Sequence, residues 1–117
     1  MSEPRPVRAI IVPTSDDEPM TLRVVDASRA GLPGLVGGGQ PEVVPLRQDG
    51  TVLYVDAYGK SKGLPRNARA TRLADALLPG FADADTINGP AVFTGTDPDD
   101  GGPADLPAAT AHAAGLA

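Results

Sequence analysis

Residues 51–78 read TVLYVDAYGKSKGLPRNARATRLADALL. Thr51–Ala57 is a short run of β-branched and aromatic residues, which predicts a strand. From Asn67 the pattern changes period. Ala70, Leu73, Ala74 and Leu77 fall at i, i+3, i+4 and i+7, the apolar stripe of a helix. Asn67 stands where a cap belongs, and the pair Pro79–Gly80 ends the helix at about Leu78. Between strand and helix lies a loop punctuated by Gly59, Gly63 and Pro65. The segment carries Lys60, Lys62, Arg66, Arg69 and Arg72. These are half of the chain's 10 basic residues, and Ala57 to Leu73 holds no Asp or Glu.

Working outward, EVVPL (42–46) precedes the strand and is joined to it by RQDG, where Asp49–Gly50 suits a tight hairpin turn. Pro45 cannot donate to a ladder, so this strand belongs at a sheet edge. Near the start, RAIIVP (8–13) predicts a strand buried on both faces. MTLRVV (20–25) alternates, with Met20, Leu22 and Val24 on one side and Thr21 and Arg23 on the other. The two form an antiparallel hairpin across TSDDEP. In DASRAGLPGLVGGG, Asp26 is placed to cap a helix, but Gly31, Pro33 and Gly34 limit it to one or two turns before Gly37–Gly39. Downstream, Asn88–Gly89 turns the chain into a last strand near Ala91–Thr94. The order β-β-α-β-β-α-β is an α+β domain: a small, mostly antiparallel sheet of about five strands with one or two short helices.

Residues 1–6 read as a flexible N-terminus and 7–95 as the domain. From Thr96, the segment TDPDDGGPADLPAATAHAAGLA carries four acids, no Lys or Arg and few bulky apolar residues. Such a segment buries little surface against its ordering entropy and reads, over 96–117, as a disordered acidic tail, with a frayed Ala-rich turn after Pro107.

With 117 residues, the chain is long enough for one domain with a modest core. Only Tyr54, Tyr58, Phe81 and Phe93 are aromatic, so that core is aliphatic. The chain has no Cys, which removes disulfides and thiolate chemistry. It has no apolar run of membrane-spanning length and only four consecutive apolar residues, Ala9–Val12, near its start, so a cytoplasmic protein away from the membrane is expected. A formal net charge of −5 argues against indiscriminate nucleic-acid binding.

Several catalytic and metal motifs fail on spacing. YGKS resembles the end of a phosphate-binding loop, but that loop requires Gly at the position of Tyr54 and a helix starting at the Lys. DPDDGG resembles a calcium loop with no Glu to close it. The only His, His112, lies in the tail, and zinc ligands are too few. Asp83 and Asp85 form a pair that serves acid–base or metal chemistry in some sites, and a polar turn explains them equally. Lys60 or Lys62 would need burial to act as an activated amine. No catalytic residue, metal or cofactor is therefore expected.

The basic segment remains. If Asn67 begins a helix, Arg69 and Arg72 share a face, Arg66 abuts the start, and Lys60 and Lys62 precede it. Basic side chains beside free helix-start amides form an anion site, for phosphate, nucleotide or an acidic protein surface. A nucleic-acid backbone suits the same loop, with Tyr54 and Tyr58 available for stacking. The competing account is solvated surface charge, or a loop neutralised by the chain's own acidic tail.

RAIIVP, LVGG (35–38), EVVPL, LYVDAYGKSKGLPRNARAT (53–71) and INGPAVFTG (87–95) together resemble the DUF3846 family, over about residues 7 to 95. The most specific block is Gly59, Lys60, Lys62, Gly63, Leu64, Pro65, Asn67, Ala70 and Thr71. The resemblance carries no established activity, cofactor or catalytic residue. It implies a phage, plasmid or accessory context of the kind met in actinobacteria. Within the block, glycine, leucine, proline and asparagine have folding roles of their own. Thr71 lies away from Leu73 and is expected to be free for a partner.

The expected function is a non-enzymatic binding module for a host or phage protein or an anionic ligand, using Tyr58, Gly59, Lys60, Lys62, Gly63, Arg66, Asn67, Arg69, Thr71 and Arg72. The alternative is a nucleic-acid or nucleotide binder on the same loop. An acidic DNA mimic ranks below both, because seven of the 15 acids are bunched at Asp16–Glu18 and in the tail.

Overall fold

The computed structural model describes residues 3–116. Ten elements follow in order: β1 (Pro6–Val12), β2 (Thr21–Asp26), α1 (Leu32–Leu35), β3 (Pro41–Pro45), β4 (Val52–Asp56), α2 (Ala68–Leu77), α3 (Phe81–Ala84), β5 (Ala91–Thr96), β6 (Pro103–Ala104) and α4 (Ala108–Ala113). The strands form one antiparallel sheet in the order β2-β1-β5-β4-β3, with β6 paired to β5. The fold is α+β.

Alternation along the central strands explains why RAIIVP has no polar phase. Ile10, Val12, Leu53, Ala91 and Phe93 join Ala70, Leu73, Ala74 and Leu77 of α2, Phe81 of α3 and Ala111 of α4 in one cluster. Val7, Ala9, Val52, Tyr54 and Val92 join Leu32 and Val36 of the α1 region in a second. Helices therefore cover both sides of the sheet, and its middle strands are apolar in both phases. β2 follows its predicted alternation only as far as Leu22: Met20 and Leu22 pack on the first cluster, but beyond them Val25, not Val24, is the buried residue, and it joins the second cluster. Val24 shares their phase but is 60% exposed, opposite the exposed Arg8 on β1.

β3 is an edge strand. The Ala57 amide donates to Gln40 O and the Leu46 amide to Thr51 O, so even-numbered residues here turn their backbone groups toward β4. Pro41, Val43 and Pro45 face outward, and two of the three lack an N–H. That leaves one outward donor on β3, which blunts the edge against pairing with another chain.

Four local expectations change. Asp26 ends β2 instead of capping α1; its carboxylate accepts the amides of Arg5 and Ser28 at 2.8 and 3.0 Å, and Gly31 takes the N-cap position. Pro79–Gly80 ends α2, yet one further helical turn, α3, follows because Phe81 completes the core. The N-terminal stretch is held as far out as Arg5, which donates its backbone N–H to Asp26, while Pro6 already lies in β1; Met1 and Ser2 fall outside the described residues.

The segment expected as a disordered tail returns to the sheet instead. β6 pairs with the end of β5 and Leu106 N donates to Arg8 O. Leu106 and Ala111 enter the core, and the Thr110 hydroxyl bonds the buried Thr51 hydroxyl at 2.8 Å. Its composition is poor in apolar residues, but the few it has fall where one side of a short helix meets the sheet.

A candidate recognition surface on the 57–72 loop

The loop after β4 is organised by a carboxylate. Asp56 has a side chain only 2% exposed. One of its oxygens accepts the Tyr58 amide at 2.9 Å, and the other accepts Lys62 Nζ at 2.7 Å. The Lys62 ammonium, and next the Tyr58 amide, hold the Asp56 carboxyl below the usual carboxylate range. A compact backbone turn follows: Lys62 N donates to Tyr58 O, Gly63 N to Lys60 O and Leu64 N to Gly59 O. Gly63 has φ of +72°, the left-handed region. At Gly59 a Cβ would stand 2.5 Å from Asn88 O, so only glycine lets the loop lie this close to the 86–89 turn.

That turn clamps the other end. Asn88 Nδ2 donates to Leu64 O at 2.9 Å, Gly89 N donates to Pro65 O, and Arg66 bridges Asn88 in antiparallel fashion. Asn67 is fully buried and caps α2 by accepting the Ala70 amide at 3.1 Å. Its Nδ2 donates to Val12 O and Gly89 O at 2.9 and 3.0 Å, and its own amide donates to Ile87 O. One side chain thus ties β1, α2 and the entry to β5 together.

The ten predicted residues divide by what they touch. Gly59, Gly63 and Asn67 shape the loop. Thr71, expected to be free, is also occupied: its hydroxyl donates to Asn67 O and accepts the Ile87 amide at 3.0 Å. Lys62 is spent on Asp56. Arg69 turns away from the loop, donating from Nη2 to Pro13 O and Ser15 O, with Nε 3.4 Å from Asp16. At the helix start the Asn67 side chain takes the Ala70 amide, and the Arg69 guanidinium points toward Pro13, Ser15 and Asp16 instead.

Four exposed side chains are not tied to a buried partner. Tyr58 is 59% exposed. Lys60 pairs with Asp85, but those side chains are 59% and 46% exposed, where such pairs contribute little and exchange readily. Arg66 and Arg72 are exposed and have no side-chain partner among the described residues. The acidic residues after Thr96 do not cover them: Asp100 takes a two-pronged contact from Arg5 at 3.0 Å, with Asp97 at 3.7 Å.

Sequence reasoning gave Asp56 and Asp85 no part in this loop. The signal at Asp56 was a carboxylate ending an apolar strand six residues before a lysine. Asp85 is 25 residues from Lys60, and nothing local links them.

These features define a class: an antiparallel sheet helix-covered on both sides, with a pinned loop presenting an aromatic ring and basic side chains. The chain belongs to the DUF3846 family, described as a domain of unknown function, whose profile matches residues 7–114 and so takes in β6 and α4. No curated protein matches. Among solved structures, a crystal structure of the small RNA methyltransferase HEN1 is similar, with a TM-score of 0.60 and 20% identity. The match covers 93% of this chain and 16% of that one, and the likeness is one of fold. Among the described residues, no helix is long and apolar enough to cross a membrane, and no group of His, Cys, Asp or Glu is arranged to hold a metal.

Proposed function

We propose that the domain is a non-enzymatic recognition module that binds an acidic surface of a partner protein through Tyr58, Lys60, Arg66 and Arg72. The observation that carries this is Tyr58: a large ring, 59% exposed, at the start of a loop whose backbone is fixed from both ends. Interface energy concentrates in such aromatic and arginine anchors. A loop ordered before binding gives up little conformational entropy on association. Arg66 and Arg72, without side-chain partners among the described residues, supply charge complementarity, and Lys60 joins them by exchanging Asp85 for a partner's carboxylate.

The immobilised chain, incubated with extract of its native host, is expected to retain a protein that Tyr58→Ala/Arg66→Glu releases. A protein kept equally by both forms removes this surface from the account. Labelled RNA and DNA duplexes, followed by anisotropy between 50 and 200 mM salt, test the other ligand class. Saturable binding that collapses across that range, as phosphate contacts require, replaces the protein partner with nucleic acid.

A further inference from the structure

A second site lies on the face of the sheet that α1 covers. Between α1, β3 and β4 is an open cavity of about 590 Å³, within the range of small-molecule sites. Tyr54 lines it. The side chain is 9% exposed, and its hydroxyl makes no hydrogen bond among the described residues. The ring is buried while the hydroxyl opens onto the cavity, where a ligand's acceptor can reach it. Burial raises the Tyr54 pKa, which keeps the group protonated and donating at neutral pH.

The charge of the lining has one sign. Arg5 and Arg29 border the cavity and no carboxylate does, although the chain carries a net charge of −5. Arg5 is engaged by Asp100 and Pro103 O. Arg29 is exposed and has no side-chain partner among the described residues. The rest of the wall is mostly apolar, with Leu32, Pro33, Pro41 and Val43 among the lining residues.

We propose that this cavity binds a small organic anion: a flat apolar body held against Leu32, Pro41 and the Tyr54 ring, with an acidic group placed between the Tyr54 hydroxyl and the Arg29 guanidinium. The apolar wall sets affinity for the body. The phenol and guanidinium select a negatively charged acceptor, as charge-assisted hydrogen bonds do. The site is separate from the 57–72 loop and does not depend on what that loop binds.

The probe is 8-anilinonaphthalene-1-sulfonate, an aryl sulfonate that fluoresces on leaving water, with uncharged N-phenyl-1-naphthylamine as its counterpart. The full-length protein is expected to bind the sulfonate saturably at one site. Arg29→Glu weakens it about tenfold, the effect of one charge-assisted hydrogen bond. Tyr54→Phe weakens it severalfold, and the uncharged probe loses nothing on Arg29→Glu. The Arg29 side chain is exposed and makes no hydrogen bond or ion pair among the described residues, so circular dichroism and melting temperature are expected to be unchanged in that variant. Three results overturn the proposal: no saturable sulfonate binding, equal binding by wild type and Arg29→Glu, or an equal loss in Arg72→Glu, whose charge lies outside this cavity.

Discussion

A buried amide side chain at position 67 meets two requirements at once. Its oxygen caps α2, and its nitrogen supplies carbonyls of β1 and of the turn before β5. Asn67→Ala removes the partner of the Ala70 amide and of the Val12 and Gly89 carbonyls at a fully buried position. The expected loss is about 2–4 kcal/mol, read from urea unfolding. Asp56 acts differently, through charge. Its pKa is lowered on folding, so the unfolded chain takes the proton first, and the stability Asp56 supplies is present above about pH 4 and is lost as pH falls through the folded value. Asp26 and Asp100, also lowered, add to the same slope. Lys62→Met removes the first cause at Asp56, so its stability is expected to fall less steeply between pH 5 and pH 2 than that of the wild type. Equal slopes in the two proteins show that Lys62 does not set this titration.

At the scale of elements, the edges of the sheet are unequal. β3 sends Pro41 and Pro45 outward, so its backbone offers a single N–H to any approaching strand. Replacing both with Val restores two donors and adds β-branched surface. Pro41→Val/Pro45→Val is expected to self-associate in sedimentation at concentrations where the wild type stays in one state. Pro45 was legible in the sequence as an edge marker, because a missing donor is a property of the residue itself. Pro41 was not, because its outward direction depends on the register with β4. The hairpins and α2 were legible for a similar reason: period, cap and turn residues lie within a few positions of one another. α3 and α4 were not. A single turn such as Phe81–Ala84 has no period of its own and forms because Phe81 reaches a core assembled from other elements.

On the scale of the whole molecule, Arg5 joins the two ends. Its guanidinium meets Asp100, Asp97 and Pro103 O, and its backbone amide meets Asp26. Arg5→Ala is expected to raise amide exchange together in residues 97–106 and at the start of β1, with the α2 amides unchanged. Protection lost in only one of the two segments shows that Arg5 does not couple them. The same contact decides how the acidic stretch after Thr96 behaves. Asp97, Asp100 and Asp105 are used near β1 and β6, away from the basic loop.

The sequence by itself determined the α+β class, the antiparallel hairpins, the Asn67 cap, the edge position of β3 and the concentration of positive charge between Lys60 and Arg72. Each rests on backbone preference or short spacing, energies that residues a few positions apart decide among themselves. Only the tertiary structure decided which of those charges remain available, that residues 103–116 complete the sheet and core, and that Arg5, Arg29 and Tyr54 border one cavity. Those outcomes depend on groups brought together across 25 to nearly 100 positions, such as Lys60 with Asp85 and Arg5 with Asp100. Contacts of that kind form only when the closed chain, by packing its core, has already met the entropy of bringing distant segments together.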